Sequence, residues 1–236
     1  MILKFELTPR NWYKDRIETE LHFIENFLKN VEHQIWLGIK DFENCTIETY
    51  EENDDWEAPD RIASREYMGV DGLTWDLDDL FKSYYPNLQR GSAFITLHAF
   101  LENELIKLCD LIQKQNGLKI KLNDLRKDSS RAPELFRVIN YLDKVEGLAI
   151  SNADFESVKL KDLTEIRNVF AHQNGIFPVS EKDNFERIGR EFTNHMKIGT
   201  VENNSIALKE TFLKFALDSY REIFVTIDKK LQLKYG

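Results

Sequence analysis

Phe94-Ile95-Thr96-Leu97-His98-Ala99-Phe100-Leu101-Glu102-Asn103-Glu104-Leu105 lies at the centre of the strongest helical pattern in the chain, and its reading decides the fold class. Phe94, Leu97, Leu101, Leu105, Leu108 and Ile112 recur in steps of three and four, which places one helix face against a core. Ile95, Ala99, Ile106 and Cys109 form a neighbouring apolar stripe, so the helix is covered on more than one side. The pattern predicts a central helix from about Asn87 to Gln115, ended by Asn116-Gly117.

A central helix needs other helices around it, and the same periodicity supplies them. Leu135, Val138, Ile139 and Leu142 mark a helix from about Pro133 to Lys144, and Leu160, Leu163, Ile166 and Phe170 mark one from about Phe155 to Gln173. Residues 181 to 195 read as helical. Leu213, Ala216, Leu217, Tyr220, Phe224 and Ile227 mark a final helix from about Lys209 to Leu233. Between them, Ile198 to Leu208 holds Glu202-Asn203-Asn204-Ser205 between short β-prone runs, the pattern of one small β-hairpin. The fold class is therefore all-α, a helical bundle with one candidate hairpin.

Upstream, Leu21, Ile24, Leu28, Val31 and Ile35 form a packing seam that Phe42 extends past Gly38. This helix either covers the core or joins two copies. Residues 43 to 60 are rich in Glu and Asp, show no sustained period and read as a mobile acidic loop, with Trp56 anchoring it. A short helix from about Asp76 should end before Pro86. The expected organisation is an acidic helical extension and loop over residues 1–80 and a helical domain over 81–236. No repeat, Pro-rich linker or Gly/Ser-rich linker divides the chain.

At 236 residues the chain can bury a full core without covalent staples. Cys45 and Cys109 form no Cys-x-x-Cys, and no His-x3-His is present, which argues against a disulfide framework and structural zinc. The first residues, Met-Ile-Leu-Lys-Phe-Glu, soon give way to charges, so neither a signal peptide nor a membrane span is expected, and a cytoplasmic location is. The formal charge of −9 is uneven: residues 1–80 carry 8 Lys plus Arg against 20 Asp plus Glu, the remainder 24 against 21. Lys119, Lys121, Arg126, Lys127 and Arg131 cluster in one short region, either as phosphate contacts or as a solvated face.

Chemistry concentrates in Glu165-Ile166-Arg167-Asn168-Val169-Phe170-Ala171-His172-Gln173-Asn174-Gly175. A cation, an amide and an imidazole stand near a helix end signalled by Gly175 and Pro178. On a continuous helix Arg167 and His172 lie about 140° apart, whereas Asn168 and His172 share a face. The two ends cooperate if the helix stops near His172, or if a twofold copy brings each Arg to its partner's His, with Ala171 allowing close approach. Glu102 or Asn103 could hold Arg167 in place; otherwise His98 and Glu102, four residues apart, form a local pair. Arg190 and His195 lack the adjacent Asn and read as structural. Gly-rich phosphate loops, Gly-x-Ser-x-Gly and metal-spaced carboxylates are absent, so neither a metal nor a cofactor is expected.

Arg167-Asn168-Val169-Phe170-Ala171-His172 resembles the Arg-x4-6-His signature of HEPN-domain proteins, many of them ribonucleases, and the Arg-Asn opening is the form of nuclease-like members. Tyr85-Pro86-Asn87-Leu88-Gln89-Arg90-Gly91-Ser92 and the helix after it resemble the long first helix of bacterial members, so the likeness covers roughly residues 85 to 176. It implies a HEPN-like bundle and a hydrolase that cuts RNA without metal, with Arg167, Asn168 and His172 as catalytic residues at a homodimer interface. It also implies a toxin or antiviral role, with an antitoxin or regulatory protein as further partner. The alternative is an inactive module of the same fold that binds RNA, a nucleotide or a protein. Asn174 stands where toxins controlled by tyrosine modification carry Tyr, so that control is not expected.

Overall fold

The computed structural model describes residues 7–45, 47–51, 62–127, 134–156, 158–199 and 204–236. Over these the fold is mostly helical, with two small antiparallel sheets. A wide turn at Tyr13–Ile17 leads into α1 (Glu18–Cys45). The central helix is α3 (Tyr85–Asn116), in which Phe94, Leu97, Leu101, Leu105, Leu108 and Ile112 are all fully buried. Around it pack α4 (Glu134–Asn140), α5 (Leu160–Gln173) and α7 (Phe212–Tyr235), while α6 (Lys182–Glu191) buries Phe185 and Ile188 in the same core.

The N-terminal helix contributes to that core rather than standing beside it. Trp12, Ile17, Leu21 and Leu28 join the main apolar cluster, and Trp12 meets Phe224 of α7 edge-on at 5.8 Å. Polar ties reinforce the packing. Arg90 of α3 holds Glu32 of α1 through two nitrogens at 2.9 and 2.7 Å, and Arg16 and Lys107 both hold the buried Glu104 carboxylate. A guanidinium paired through two nitrogens to one carboxylate fixes angle as well as distance.

The helix expected over 181 to 195 ends at Glu191, with a turn over 192–195, and three further differences from expectation each have a local reason. Pro86 does not end a helix: the short α2 (Leu77–Asp79), capped by Asp76, runs through a wide turn at Leu80–Tyr84 into α3, where Pro86 sits in the first turn and its missing N–H costs nothing. The helix of the Arg-Asn motif begins at Leu160 rather than Phe155, because a short Asn152–Phe155 turn closed by a Ser151/Asp154 capping box precedes it and Lys159 takes φ 52°. The acidic loop reading is corrected over Ile47–Glu51, which is a strand, β1. Ile47, Thr49 and Tyr50 are β-formers in the run Ile47-Glu48-Thr49-Tyr50-Glu51, which is too short to stand out among the surrounding charges. It pairs antiparallel with β2 (Ile62–Tyr67), and β2 with β3 (Val70–Asp71) across Met68-Gly69, both at positive φ as a tight primed turn requires. Trp56 and residues 52–60 lie outside the described residues. The Tyr67 ring of this sheet meets Phe81 at 4.8 Å, and Phe81 stacks on Phe42 at 5.2 Å, a small second cluster at the end of α1.

The expected hairpin is present: β4 (Met196–Ile198) and β5 (Ile206–Leu208) pair antiparallel, with Ile198 opposite Ile206. It closes over the end of α5. Ile206 N–H donates to Gly175 O at 2.8 Å, and Asn87 of α3 bonds both Ile206 O and Leu208 N–H at 2.8 Å, standing in for a neighbouring strand. Phe170 of α5 fills the gap between the two glycines beneath: a Cβ on Gly91 would come within 2.3 Å of its ring, and one on Gly175 within 2.9 Å. Gly91→Ala should therefore push α5 off α3 and cost about 1–3 kcal/mol, the usual penalty for overpacking. Urea unfolding checks this, and an unchanged midpoint would show that the contact yields freely.

Candidate functional site

The end of α5 positions the motif. The helix stays regular through Gln173, then Asn174 at φ 50° and Gly175 at φ 85° turn the chain, with Gly175 N–H bonding Val169 O at 3.3 Å. Because the helix runs past His172, Arg167 and His172 keep their divergent directions. Each lies in its own environment.

Arg167 points to α3, with its side chain one-fifth exposed, and its Nη2 donates to Glu102 Oε1 at 2.7 Å. His98, one turn earlier on α3, is fully buried; its Nε2 lies 3.4 Å from the same Glu102 oxygen and its Nδ1 lies 2.6 Å from the Tyr220 hydroxyl of α7. Three helices thus meet in a chain of polar groups. Burial pushes the Glu102 carboxyl up, but His98 and then Arg167 outweigh it, and the net displacement is downward. Burial above all pushes the Tyr220 phenol well up, against the pull of Arg167 and with the help of Glu102, so it stays protonated. Asn103 is exposed, and among the described residues the carboxylate that holds Arg167 is that of Glu102.

His172 is exposed and shares a cleft of about 210 Å³ with Asn168, as expected for residues four apart. The cleft also takes in Glu165 and Glu181, while Arg167 does not line it. Glu165 is held by Asn184 of α6 at 2.6 Å. Beside the cleft Ala171, Ile176 and Val179 are exposed, an open face next to the imidazole.

The basic stretch lies elsewhere. Lys119 and Lys121 are exposed beyond the C-terminal end of α3, and at 1.5 Å per residue the end of that helix is roughly 20 Å from Glu102. Arg126 and Lys127 close a short turn at Leu122–Lys127, and Arg131 lies outside the described residues. His195 is packed, its ring parallel to Phe215 at 4.3 Å, with its pKa lowered by burial and then by Lys209. A cavity of about 820 Å³ between α1 and α7 is lined by Ile35, Trp36, Ile39, His195 and Phe215 among others, and holds none of Arg167, Asn168 or His172. No group of three or more His, Cys, Asp or Glu suited to a metal occurs among the described residues. No described helix is long and apolar enough to cross a membrane.

Sequence reasoning did not single out Tyr220, Glu165, Glu181 or Asn184. Tyr220 reads as one more apolar position of the last helix, although a phenol at a buried position calls for a partner and is a signal in itself. Glu165 stands seven residues before His172 on the same helix, a same-face spacing that could have been read, whereas Glu181 comes from a separate turn that no spacing announces. No family model, curated protein or solved structure matches the chain.

The lowered Glu102 pKa carries a definite sign. A carboxyl depressed below its ordinary 4.5 contributes stability that is complete above that value and is lost as pH falls through its lower folded value. Glu102→Gln should then unfold with a flatter acid limb than the parent below about pH 4.5. Stability measured by denaturant at several pH values tests this; parallel curves would mean that His98 and Arg167 together add nothing through this carboxylate.

Proposed function

We propose that the chain is a metal-independent endoribonuclease with a HEPN-like bundle, cutting RNA at a composite Arg/His site between two copies. The observation that carries the reading is the setting of Arg167. Its guanidinium is partly desolvated and held by one carboxylate, with Asn168 and a solvent-open His172 following on the same helix. A guanidinium aimed in this way suits the charge that develops on a phosphorane, and an open imidazole near a helix C-terminus can take and return a proton. RNA cleavage needs both: a base for the 2′-hydroxyl, an acid for the departing 5′-oxygen, and positive charge between them. Asn168 would place a phosphate oxygen.

Since Arg167 and His172 diverge within one chain, the site is completed by a twofold partner. The exposed Ala171, Ile176 and Val179 beside His172 favour such an approach. A role as toxin or in antiviral defence, with an antitoxin or regulator as partner, extends the same reading. A second reading, a binding module without catalysis, is favoured by two features: Glu102 neutralises Arg167, and Glu165 and Glu181 line the cleft of His172.

Purified protein in excess chelator should cut mixed RNA and leave 2′,3′-cyclic phosphate ends, and Arg167→Ala or His172→Ala should lower the rate on the order of 100- to 10,000-fold. Binding of RNA without cleavage, unchanged in folded His172→Ala protein, would establish the module instead. Mixing the two inactive variants distinguishes the architecture. A mixed dimer keeps one site with both residues intact, so part of the activity returns; a strictly monomeric sedimentation profile with full activity would sink the composite site.

A further inference from the structure

His98 is out of place as packing. Its ring is fully buried, edge-on to Phe94 at 6.2 Å and to Tyr220 at 5.6 Å, where an apolar side chain would fill the space without desolvating two nitrogens. Both nitrogens point at polar atoms of the chain that ends on Arg167. Nδ1 lies 2.6 Å from the Tyr220 hydroxyl. Nε2 makes no closed hydrogen bond and lies 3.4 Å from Glu102 Oε1, the atom that Arg167 Nη2 already holds at 2.7 Å.

The protons can be assigned from these partners. A buried phenol keeps its proton and has the Nδ1 lone pair in front of it, so Tyr220 donates and the neutral imidazole carries its hydrogen on Nε2. That hydrogen faces a carboxylate, which favours the same tautomer. We propose that Tyr220 and His98 are positioning residues for Arg167: the phenol fixes the imidazole so that Nε2–H stands ready for Glu102, and Glu102 in turn aims the guanidinium. The inference rests on the reading that Arg167 engages a phosphate.

The open 3.4 Å gap gives the arrangement a working role. In the resting protein Glu102 is committed to Arg167 and would repel an incoming anion. When a phosphate takes over the guanidinium, the carboxylate loses a partner in a partly buried place, and Nε2–H is the donor within reach that keeps it paired and turned away from the anion. Arg167 is thereby aimed before the anion arrives and released to it afterwards.

The test compares the parent with Tyr220→Phe, which removes only the hydroxyl, with His98→Leu, which removes both nitrogens, and with His98→Gln, whose amide nitrogen restores a donor near the Nε2 position. Nitrogen-resolved NMR reads the tautomer of His98 and the rotational exchange of the Arg167 guanidinium. The parent should show a protonated Nε2 and a slowly exchanging guanidinium. Tyr220→Phe and His98→Leu should speed that exchange, and His98→Gln should slow it again. In RNA cleavage the first two should lower kcat by up to about 100-fold with KM near the parent value, as for a misaimed catalytic group. An Arg167 guanidinium as restrained in folded Tyr220→Phe protein as in the parent would overturn the proposal, and so would a His98 ring protonated on Nδ1. Because the NMR arm needs no turnover, it decides the question even if the parent cuts no RNA, and that second result would count against the nuclease reading alone.

Discussion

Phe170 is the contact on which the arrangement of the site depends. Its ring occupies space that a Cβ at Gly91 or Gly175 would claim, so it clamps α5 against α3 and against the hairpin that closes over the helix end. Close packing of this kind leaves few alternative registers, because a shift of one helix position would put side chains where glycine hydrogens now stand. With α5 held, Arg167 falls within reach of Glu102, and Glu102 lies beside His98. Asn87 bonds the β5 backbone at Ile206 and Leu208 and ties the start of α3 to the same end of the molecule. The catalytic proposal and the polar chain behind it both inherit their geometry from this clamp.

Electrostatics divides the motif into two faces. On the inner face, a cation is held by a carboxylate whose own burial is offset by the His98 ring and the Arg167 guanidinium, a partly desolvated pair with well-defined direction. On the outer face, His172 is open to solvent beside two carboxylates and an amide. A regular helix keeps the two faces apart, so the proposed reaction calls for a second copy to bring an Arg and a His to one phosphate. The acidic surroundings of His172 and the distance of Lys119 and Lys121 from Glu102 set the terms on which any RNA would have to bind.

Much of the architecture was legible because it rests on periodicity. The α3 residues Phe94, Leu97, Leu101, Leu105, Leu108 and Ile112 are fully buried where steps of three and four placed them, and the hairpin at Ile198 and Ile206 was marked by β-prone runs around a polar turn. What escaped notice was short or non-local. β1 is a five-residue run with three β-formers among carboxylates, and Pro86 looked like a helix end because the turn that carries the chain into α3 leaves no trace in hydrophobic spacing. The Arg-Asn-x3-His run was visible as a motif. Two partners for Glu102 were conceivable, and the structure places Arg167 and His98 around one oxygen of the same carboxylate.

The sequence by itself determined a mainly helical chain, a central helix buried on several sides, and a cation, an amide and an imidazole near one helix end. These follow from local rules: helical period, helix stop signals and residue chemistry within a few positions. Only the tertiary structure decided that Arg167 faces a carboxylate 65 residues away, that Tyr220 reaches His98 across 122 residues, and that the helix runs on past His172 and leaves it open to solvent. Such pairings depend on how helices pack at the Phe170 clamp, and packing is a relation between distant segments that no local spacing encodes.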